Sequence, residues 1–257
     1  MIILPTFIFG AIIGSFLNVV IHRLPRGERL NGRSHCPHCH RAIAWHDLIP
    51  LISFVLLKGK CRSCYTPISW QYPAVELATG GLFALSFSLR LQEGGYTPLL
   101  ALSLFRDWVI ISALVITFVT DLRFQLIFDV VMITAGLITL PLNLILGEPL
   151  LPLLLAGIIG VGFFGFQYVI SRGRWIGVGD LFVGGFIGVA VSYPLILLAL
   201  AGAYLSGAAI SIPLLFLKSK TWQSRIAFGT FLSLAGIVTL FWGDQILEWY
   251  LHTILAG

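Results

Sequence analysis

Two acidic residues lie at the ends of apolar runs, where an ionised side chain is costly. Asp180 ends a Gly-Val-Gly-Asp stretch in front of an apolar segment, and Asp121 follows the apolar run 114–119. A charged Asp at bilayer depth costs about 2.5 to 3.5 kcal/mol, so each carboxylate requires a partner or a function. Two neighbouring carboxylates do not easily both ionise, so one keeps a proton while the other takes a proton from water. The sequence therefore predicts Asp121 and Asp180 as a water-activating pair.

A helix cap is the simpler interpretation of Asp180, because an acid in front of an apolar helix is an ordinary N-cap. Asp121 has no such explanation. It ends its helix, where the macrodipole disfavours negative charge, so we expect another group to stabilise it. Gly177 and Gly179, beside Asp180, allow either a sharp turn or a close approach of two backbones.

The four cysteines form two CxxC pairs that are separated by 21 residues. They are Cys36, Cys39, Cys61 and Cys64. This spacing is typical of zinc ribbons and knuckles, in which two tight turns bring four thiolates around a tetrahedral ion. A structural disulfide would need an oxidising compartment, so we predict a zinc site. Nearby histidines could replace a thiolate or bind a second ion, but with four thiolates we expect them outside the ligand set. These are His35, His38, His40 and His46.

Composition indicates a membrane protein. Hydrophobic residues make up 58% of the chain and charged residues only 11%, whereas charged residues are roughly 25% of soluble domains. The predicted fold is all-α and polytopic, with about eight transmembrane helices and a small cytoplasmic zinc-binding module between the first and second. The predicted helices are 2–22, 73–92, 98–120, 129–146, 150–170, 181–192, 194–217 and 228–249. The sixth is short enough to be broken or tilted.

The basic residues predict how the chain crosses the membrane. If the first helix starts outside, every Lys and Arg except Arg90 and Arg106 falls in a cytoplasmic segment. The positive-inside rule then puts the N-terminus and the C-terminus outside and the cysteines in the cytoplasm. The net charge of +5 reflects this topology. We expect no nucleic-acid partner, because the basic residues are spread over four loops that lie beside lipid head groups.

We divide the chain into a first transmembrane helix at 1–22, a tetracysteine zinc module at 23–72 and a transmembrane core at 73–257 that holds both aspartates. A module of about 50 residues is near the size that needs a metal to hold its fold. Its apolar segment 48–57 is too short to span a bilayer. This segment forms either the core of the module or a stretch that lies on the membrane.

Several other polar residues in or beside apolar segments have open interpretations. Asn18 is either a buried group tied to a neighbouring helix, which we favour, or a substrate contact. We expect Arg23 to lie at head-group level. Glu76 either satisfies a helix N-terminus or joins the aspartates. Asp129 could be an N-cap. The adjacent Arg106 and Asp107 either neutralise each other or reach the interface, and we predict no function for them.

Several ordered motifs resemble those of one family. They are Gly14-Ser15-Phe16-Leu17-Asn18 to Arg23-Leu24-Pro25, the two CxxC pairs, Tyr72-Pro73-Ala74-Val75-Glu76-Leu77, Asp121, the Gly-Val-Gly-Asp stretch and Phe228-Gly229. Together they cover residue 14 to about 230, most of the chain. The arrangement resembles the prepilin peptidases, the type IV leader peptidases of bacterial pilus and type II secretion systems, which are GxGD aspartic proteases.

This resemblance implies an intramembrane aspartic endopeptidase of the bacterial inner membrane, with Asp121 and Asp180 as catalytic residues. The enzyme would remove the short basic leader from prepilins or pseudopilins at the cytoplasmic face. It would also N-methylate the new N-terminus with S-adenosylmethionine, for which no binding residues are predicted. The implied partners are these substrates and the lipid bilayer. A substrate with a basic leader and an apolar helix has its cleavage point at the membrane boundary, where we expect the aspartates to meet.

Two other functions are weaker hypotheses. A zinc metalloprotease is disfavoured because the sequence has no HExxH motif and a four-cysteine site leaves no open position for water. The second is a non-enzymatic zinc-binding membrane receptor or transporter with the aspartates as an ion relay. A relay requires acids near mid-membrane, whereas both aspartates lie at the ends of apolar segments.

Overall fold

The computed structural model describes residues 2–95, 97–216 and 227–255. Its regular structure in these residues is helical apart from two isolated β-bridges, which confirms the predicted all-α class. The α-helices are α1 (Ile3–Arg23), α2 (Ile52–Leu56), α3 (Gln71–Gly94), α4 (Leu100–Phe124), α5 (Asp129–Ile145), α6 (Leu150–Ser171), α7 (Val178–Val191), α8 (Leu195–Phe216) and α9 (Phe228–Tyr250). Short 3₁₀ helices cover Leu24–Arg26 and Trp45–Leu48, and a π-helical turn covers Leu251–Leu255.

An α-helix occupies each of the eight apolar segments that the sequence predicts. Six of these helices are long and apolar enough to cross a membrane, namely α1, α3, α4, α6, α8 and α9. The other two, α5 with 17 residues and α7 with 14, are shorter. The end of the predicted segment 194–217 lies outside the described residues. The same holds for Lys218, Lys220 and Arg225, which contribute to the predicted topology.

The chain divides into two compact units, Met1–Leu100 and Ala101–Gly257. In the first unit, α1 and α3 pack antiparallel at glycines. A Cβ on Gly10 would lie 2.9 Å from the Cα atom of Gly80, and one on Gly14 would lie 2.9 Å from the Cα atom of Glu76. These small residues let the two backbones approach closely.

Asn18 is the polar tie between α1 and the start of α3. Its side chain is buried, and its Nδ2 atom donates to the carbonyl oxygen of Tyr72 at 3.0 Å. The Nε2 atom of Gln71 donates to the Oδ1 atom of Asn18 at 3.3 Å. The predicted role of Asn18 as a buried interhelical group is confirmed.

Arg23, the last residue of α1, is buried against the chain. A buried guanidinium needs acceptors for its N–H groups, and here the chain curls around it to supply backbone carbonyls. Arg23 therefore shapes the loop that leads to the cysteines. Its acceptors are the carbonyl oxygens of Arg29, Leu30, Asn31 and Arg33, at 2.9 to 3.1 Å.

In the second unit, α6 and α7 form a close antiparallel pair. A Cβ on Gly184 would lie 2.9 Å from the carbonyl oxygen of Gly160 and 2.6 Å from the ring of Phe164. Further along the pair, Gly188 faces the backbone of Ala156. Because the glycines let the two backbones approach this closely, α6 fixes the position of α7, which begins within the Gly-Val-Gly-Asp stretch.

A buried polar network joins α4, α5 and α7. The Nη2 atom of Arg106 lies 2.7 Å from the Oδ1 atom of Asp107, and both residues are buried. The Nη1 atom of Arg106 donates to the Oδ1 atom of Asn143 at 3.1 Å, and Asn143 donates to the carbonyl oxygen of Val189 at 2.7 Å. Of the two predicted interpretations of Arg106 and Asp107, mutual neutralisation is therefore correct.

Candidate active site and metal centre

Asp121 lies in the last turn of α4, and its carboxylate is bound by the first turn of α9. Only 5% of the residue is exposed. Its Oδ2 atom accepts hydrogen bonds from the backbone N–H of Thr230 at 2.8 Å and from the Thr230 hydroxyl at 3.3 Å. The N-terminus of a helix offers unpaired N–H groups and a favourable dipole to a negative charge. The stabilising group expected for Asp121 is therefore the start of another helix.

Asp180 lies in the first turn of α7, three residues after the N-cap residue Gly177. Its Oδ2 atom accepts a hydrogen bond from the Gly177 N–H at 3.0 Å. Its Oδ1 atom is buried and has no hydrogen-bond partner among the residues that the structure describes. Asp180 is thus not the N-cap itself. One oxygen helps to close the first turn, and the other remains available for chemistry.

The two carboxylates lie close enough for their charges to interact. Ile127, in the loop between α4 and α5, packs against both sides of the site. A Cβ on Gly179 would lie 2.6 Å from the Ile127 Cβ atom, and one on Gly229 would lie 2.8 Å from its Cδ1 atom. Gly179 therefore permits a close approach, which is one of the two roles predicted for the glycines of this stretch.

An aromatic cluster lies beside the carboxylate pair. The ring of Phe228, next to Gly229 in sequence, has its centroid 4.9 Å from that of Tyr204 and 5.8 Å from that of Phe164. Tyr204 interacts electrostatically with Asp180, and its hydroxyl donates to the Oε1 atom of Gln167 at 2.7 Å. The pair therefore has an apolar boundary, in which electrostatic interactions are stronger than in water.

The arrangement brings together what acid–base catalysis needs. Asp121 and Asp180 come from two different helices, each is buried, and each has one oxygen held by a backbone N–H. These bonds fix the orientation of the carboxylates. Two such groups, one ionised and one protonated, can activate a water molecule and protonate a carbonyl oxygen.

The four predicted zinc ligands form one cluster. One Sγ atom from each of Cys36, Cys39, Cys61 and Cys64 lies within 4.8 Å of all the others. The Sγ atoms of Cys36 and Cys64 are 3.8 Å apart, and all four thiols are free of disulfides. A tetrahedral zinc with Zn–S distances of about 2.3 Å separates its sulfur atoms by about 3.8 Å, so the cluster fits this ion.

The cluster is built from two turns of the same design. In the first, His40 donates its backbone N–H to the carbonyl oxygen of Cys36 at 2.9 Å, and in the second Tyr65 donates to that of Cys61 at 2.9 Å. His40 and Tyr65 both have left-handed backbones, with φ of 57° and 59°. The β-bridges His35↔Ala42 and Lys60↔Pro67 each close one turn. Two short, self-contained turns therefore present all four thiols.

The thiols of the cluster differ in pKa: the backbone N–H of Arg41 lowers that of Cys39, but burial and the neighbouring Cys64 and Cys36 side chains raise it, with a net rise to about 11. Hydrogen bonds with the side chain and backbone of Thr66 lower the pKa of the Cys64 thiol to about 6, which favours the thiolate that binds metals. Beside it, the hydrogen bond from Arg62 lowers the pKa of Asp47. The Nη2 atom of Arg62 lies 2.6 Å from the Asp47 Oδ1 atom. This ion pair connects the second cysteine turn to the 3₁₀ helix Trp45–Leu48.

The four histidines near the cysteines in sequence, which we expect outside the ligand set, do not belong to the cluster. The only group that could hold a metal ion among the described residues consists of the four cysteines. The rings of His35 and His40 stack with their centroids 6.2 Å apart, and the ring of His46 lies 5.6 Å from that of Trp45.

Glu76 and Asp129 have structural contacts of their own. Glu76 is buried and accepts a hydrogen bond from the backbone N–H of Leu51 at 2.8 Å, so it binds the cysteine segment instead of its own helix N-terminus. Asp129 is exposed, and its Oδ1 atom accepts from the N–H of Val130 at 2.8 Å. It is the first residue of α5, and the N-cap is Phe128, so the predicted cap is displaced by one residue.

A cavity of about 260 Å³ lies between the cysteine segment and the adjoining ends of α1 and α3. Its volume lies just below the roughly 300 to 1,000 Å³ that small-molecule sites occupy. The wall combines the rings of Phe54 and Tyr72 with the polar side chains of Ser15, Asn18 and Glu76. The lining also includes the charged side chains of Arg23, Arg41, Asp47 and Arg62, so the cavity is suited to a small organic ligand that carries both apolar and polar groups.

Sequence reasoning missed Thr230 and Ile127 as parts of the carboxylate site. Thr230 follows the Phe228-Gly229 motif, whose resemblance to a family motif was the available signal. Ile127 is an apolar residue in an apolar chain, and its importance appears only where Gly179 and Gly229 both pack against it.

The fold and these two sites define a multi-pass helical membrane protein with a buried carboxylate pair and a metal-capable cysteine module. The prepilin leader peptidase/N-methyltransferase of Aeromonas hydrophila is 33% identical to this chain, over 97% of the chain and 93% of the relative. The chain belongs to the prepilin leader peptidase/N-methyltransferase family. Proteins of the same name in Bacillus subtilis strain 168 and Legionella pneumophila are 32% and 30% identical, over 97% and 95% of the chain and 98% and 92% of the relatives.

The model of the bacterial peptidase A24 N-terminal domain matches residues 8–89. The matched part holds most of α1, the four cysteines and most of α3. No solved structure matches the chain.

Proposed function

We propose that this protein is an aspartic endopeptidase of the bacterial inner membrane that removes the leader from prepilins or pseudopilins and then N-methylates the new N-terminus. The family name of its relatives supports both activities. The observation that carries the peptidase assignment is the meeting of Asp121 and Asp180, two buried carboxylates from separate helices. A non-enzymatic receptor or transporter lacks comparable support, because the relatives carry the names of enzymes.

In the proposed mechanism the ionised carboxylate takes a proton from a water molecule, whose oxygen attacks the scissile carbonyl carbon. The protonated carboxylate gives its proton to the carbonyl oxygen, so a neutral tetrahedral intermediate forms. This intermediate collapses when the first carboxyl group returns a proton to the leaving nitrogen and the C–N bond breaks. The intermediate's hydroxyl proton returns to the second carboxylate as the carbonyl re-forms, which restores the pair.

Replacing either aspartate tests this mechanism. Asp121→Asn and Asp180→Asn each keep a hydrogen-bond acceptor but lose the acid, so cleavage of a prepilin in membranes should fall at least about 1,000-fold. Asp129→Asn is the matched control, because Asp129 is exposed and lies in a helix start of the same unit. Near wild-type cleavage by either Asn variant, in protein that inserts normally, would show that the activity lies elsewhere.

The carboxylate contacts support eight membrane crossings. Asp121 at the end of α4 interacts with Asp180 at the start of α7, so we place these two helix ends at one level of the membrane. Since α6 is long enough to cross, α5 must cross in the opposite direction before it. Gly229 at the start of α9 also adjoins Asp121, so α7 and α8 must likewise cross in opposite directions. The proposed topology keeps the N-terminus and the C-terminus outside and the zinc module in the cytoplasm.

We also propose that the cysteine cluster holds zinc and that the cavity beside it holds the methyl donor. When bound, S-adenosylmethionine supplies a methyl group on a positively charged sulfur. Glu76 can balance that charge, because its buried carboxylate lines the cavity, where it accepts hydrogen bonds from the Leu51 N–H and the Ser15 side chain. The rings of Phe54 and Tyr72 offer apolar faces to the rest of the ligand. Loss of zinc would distort this wall, since Cys36 also lines the cavity.

The charge of Glu76 provides a test of the cofactor site. Glu76→Gln keeps an acceptor for the Leu51 N–H, so the fold should remain intact while the negative charge is lost. Affinity for S-adenosylmethionine should fall about tenfold, but affinity for S-adenosylhomocysteine, whose sulfur is neutral, should change little. Calorimetry on the purified full chain measures both affinities. Equal loss for the two ligands, or no loss, would contradict a role of this charge.

A further inference from the structure

The short helix α2 has two faces with different surroundings. The side chains of Phe54, in the middle of the helix, and of Leu57, its C-cap, line the cavity of the first unit. The opposite face carries large apolar side chains that the described residues leave exposed. These are Ile52, Val55 and Leu56, with exposed fractions of 57%, 72% and 75%. Their spacing of three and four residues puts them on one side of the helix.

α2 is fixed beside the start of α3. The backbone N–H of Leu51, the N-cap of α2, donates to the carboxylate of Glu76 in the second turn of α3 at 2.8 Å. Trp70, the N-cap of α3, has its ring centroid 4.9 Å from that of Phe54 and is 77% exposed. The exposed face of α2 and the indole of Trp70 therefore lie beside the first residues of α3.

That helix is long and apolar enough to cross a membrane. The first residues of a membrane-spanning helix lie at the boundary between head groups and acyl chains, and Trp is enriched at that level. An element bonded to the second turn of α3 must lie at the same level. Two exposed lysines, Lys58 and Lys60, follow α2 and supply positive charge where lipid phosphates would lie.

We propose that α2 and Trp70 are inserted into the membrane interface, with phospholipid, preferentially anionic, as the partner of the exposed face. The surface is too small for a protein partner, because a stable interface buries roughly 800 Å² on each side and α2 has five residues. Insertion at the lipid boundary transfers three aliphatic side chains and an indole out of water, which is favourable because apolar surface is buried. This inference rests on α3 as a membrane span and is independent of the proposed catalytic residues.

Photocrosslinking of the full chain tests the partner directly. Benzoylphenylalanine replaces Val55 in one variant and Leu56 in a second, and each protein is reconstituted in nanodiscs of phosphatidylcholine and phosphatidylglycerol. The control position is Asn31, an exposed polar residue of the same module. We expect phospholipid adducts, identified by mass, at least about tenfold more abundant at positions 55 and 56 than at 31.

Three results would overturn the proposal. They are equal adduct yields at the control position, no lipid adduct at both test positions, and adducts mainly to a second copy of the chain or to an added prepilin. The charge component has its own test, in which Lys58→Gln combined with Lys60→Gln should abolish any enrichment of phosphatidylglycerol among the adducts while their total yield persists. Enrichment that survives both substitutions would refute the part assigned to the lysines.

Discussion

The cysteine cluster and the carboxylate pair are assembled in opposite ways. Each pair of cysteines is presented by a turn whose hydrogen bonds begin and end within a few residues, as from His40 to Cys36. Each aspartate instead depends on its helix end, and Asp121 also depends on Thr230, which is 109 residues away in sequence. The first site can form wherever its two turns meet, whereas the second exists only after α4, α7 and α9 have packed.

This difference predicts different consequences of damage. A change in a cysteine turn should abolish metal binding at the cysteine cluster and leave the helices of the second unit intact. A change at a contact between helix ends should misplace a carboxylate without loss of any charged group. The following experiments compare the two sites in these terms, beginning with the largest effect.

The double substitution Cys36→Ser and Cys39→Ser should remove bound metal completely. Hydroxyls replace two of four thiolates, and a structural zinc site does not survive that loss. We expect methyl transfer to be lost with the metal, since Cys36 lines the proposed cofactor cavity, while prepilin cleavage persists because both aspartates belong to the other unit. Metal analysis and separate cleavage and methylation assays measure the three quantities. Loss of cleavage in normally inserted protein would mean that the two sites are not separable.

Gly229→Ala should lower cleavage about 100-fold, because a displacement near 1 Å at a reacting group has effects of that size. The added Cβ would lie 2.8 Å from the Ile127 Cδ1 atom and 3.0 Å from the Asp121 Oδ2 atom, so the carboxylate must move. Gly162→Ala is the matched control, since nothing lies within 4 Å of a Cβ at that helical position. Equal activity of the two variants would contradict the close packing around Ile127. Methylation of a precleaved substrate should be normal in both.

Thr230→Val should have the smallest effect, a loss of about three- to tenfold in kcat for cleavage. It removes the 3.3 Å hydroxyl bond to Asp121 but keeps the 2.8 Å bond from the backbone N–H, and one hydrogen bond is worth about 1 kcal/mol. Thr230→Ser restores the hydroxyl and should recover activity. If Ser and Val are equally impaired, the methyl group and not the hydroxyl is what matters at this position.

The two sites also differ in how far the sequence predicts them. The cysteine centre could be predicted in full as a cluster, because the CxxC spacing encodes both turns and a local motif needs no knowledge of packing. For the carboxylates, apolar patterning and the Gly-Val-Gly-Asp stretch located Asp121 and Asp180, and the helix dipole required a partner for Asp121. That partner could not be named, since residues far apart in sequence meet only through helix packing.

Fold prediction shows the same limit. Each apolar segment predicted a helix, because runs of this length and composition have few alternatives in a membrane. The burial of Arg23 was missed, because an arginine after an apolar helix has the same sequence pattern whether it faces lipid head groups or captures a loop. Only the carbonyl oxygens that surround it, such as that of Asn31, distinguish the two cases.

The hydrogen bond between Asp180 and the N–H of Gly177 has a consequence for which acids can occupy this position. The length of the side chain is constrained twice, once by the N–H that closes the helix turn and once by the place where, in the proposed mechanism, the second oxygen acts. Glutamate carries the same acid on a stem that is longer by one carbon, so it cannot keep both oxygens where aspartate puts them. The chemistry at this position therefore admits two residue types, but the geometry of the turn admits only one.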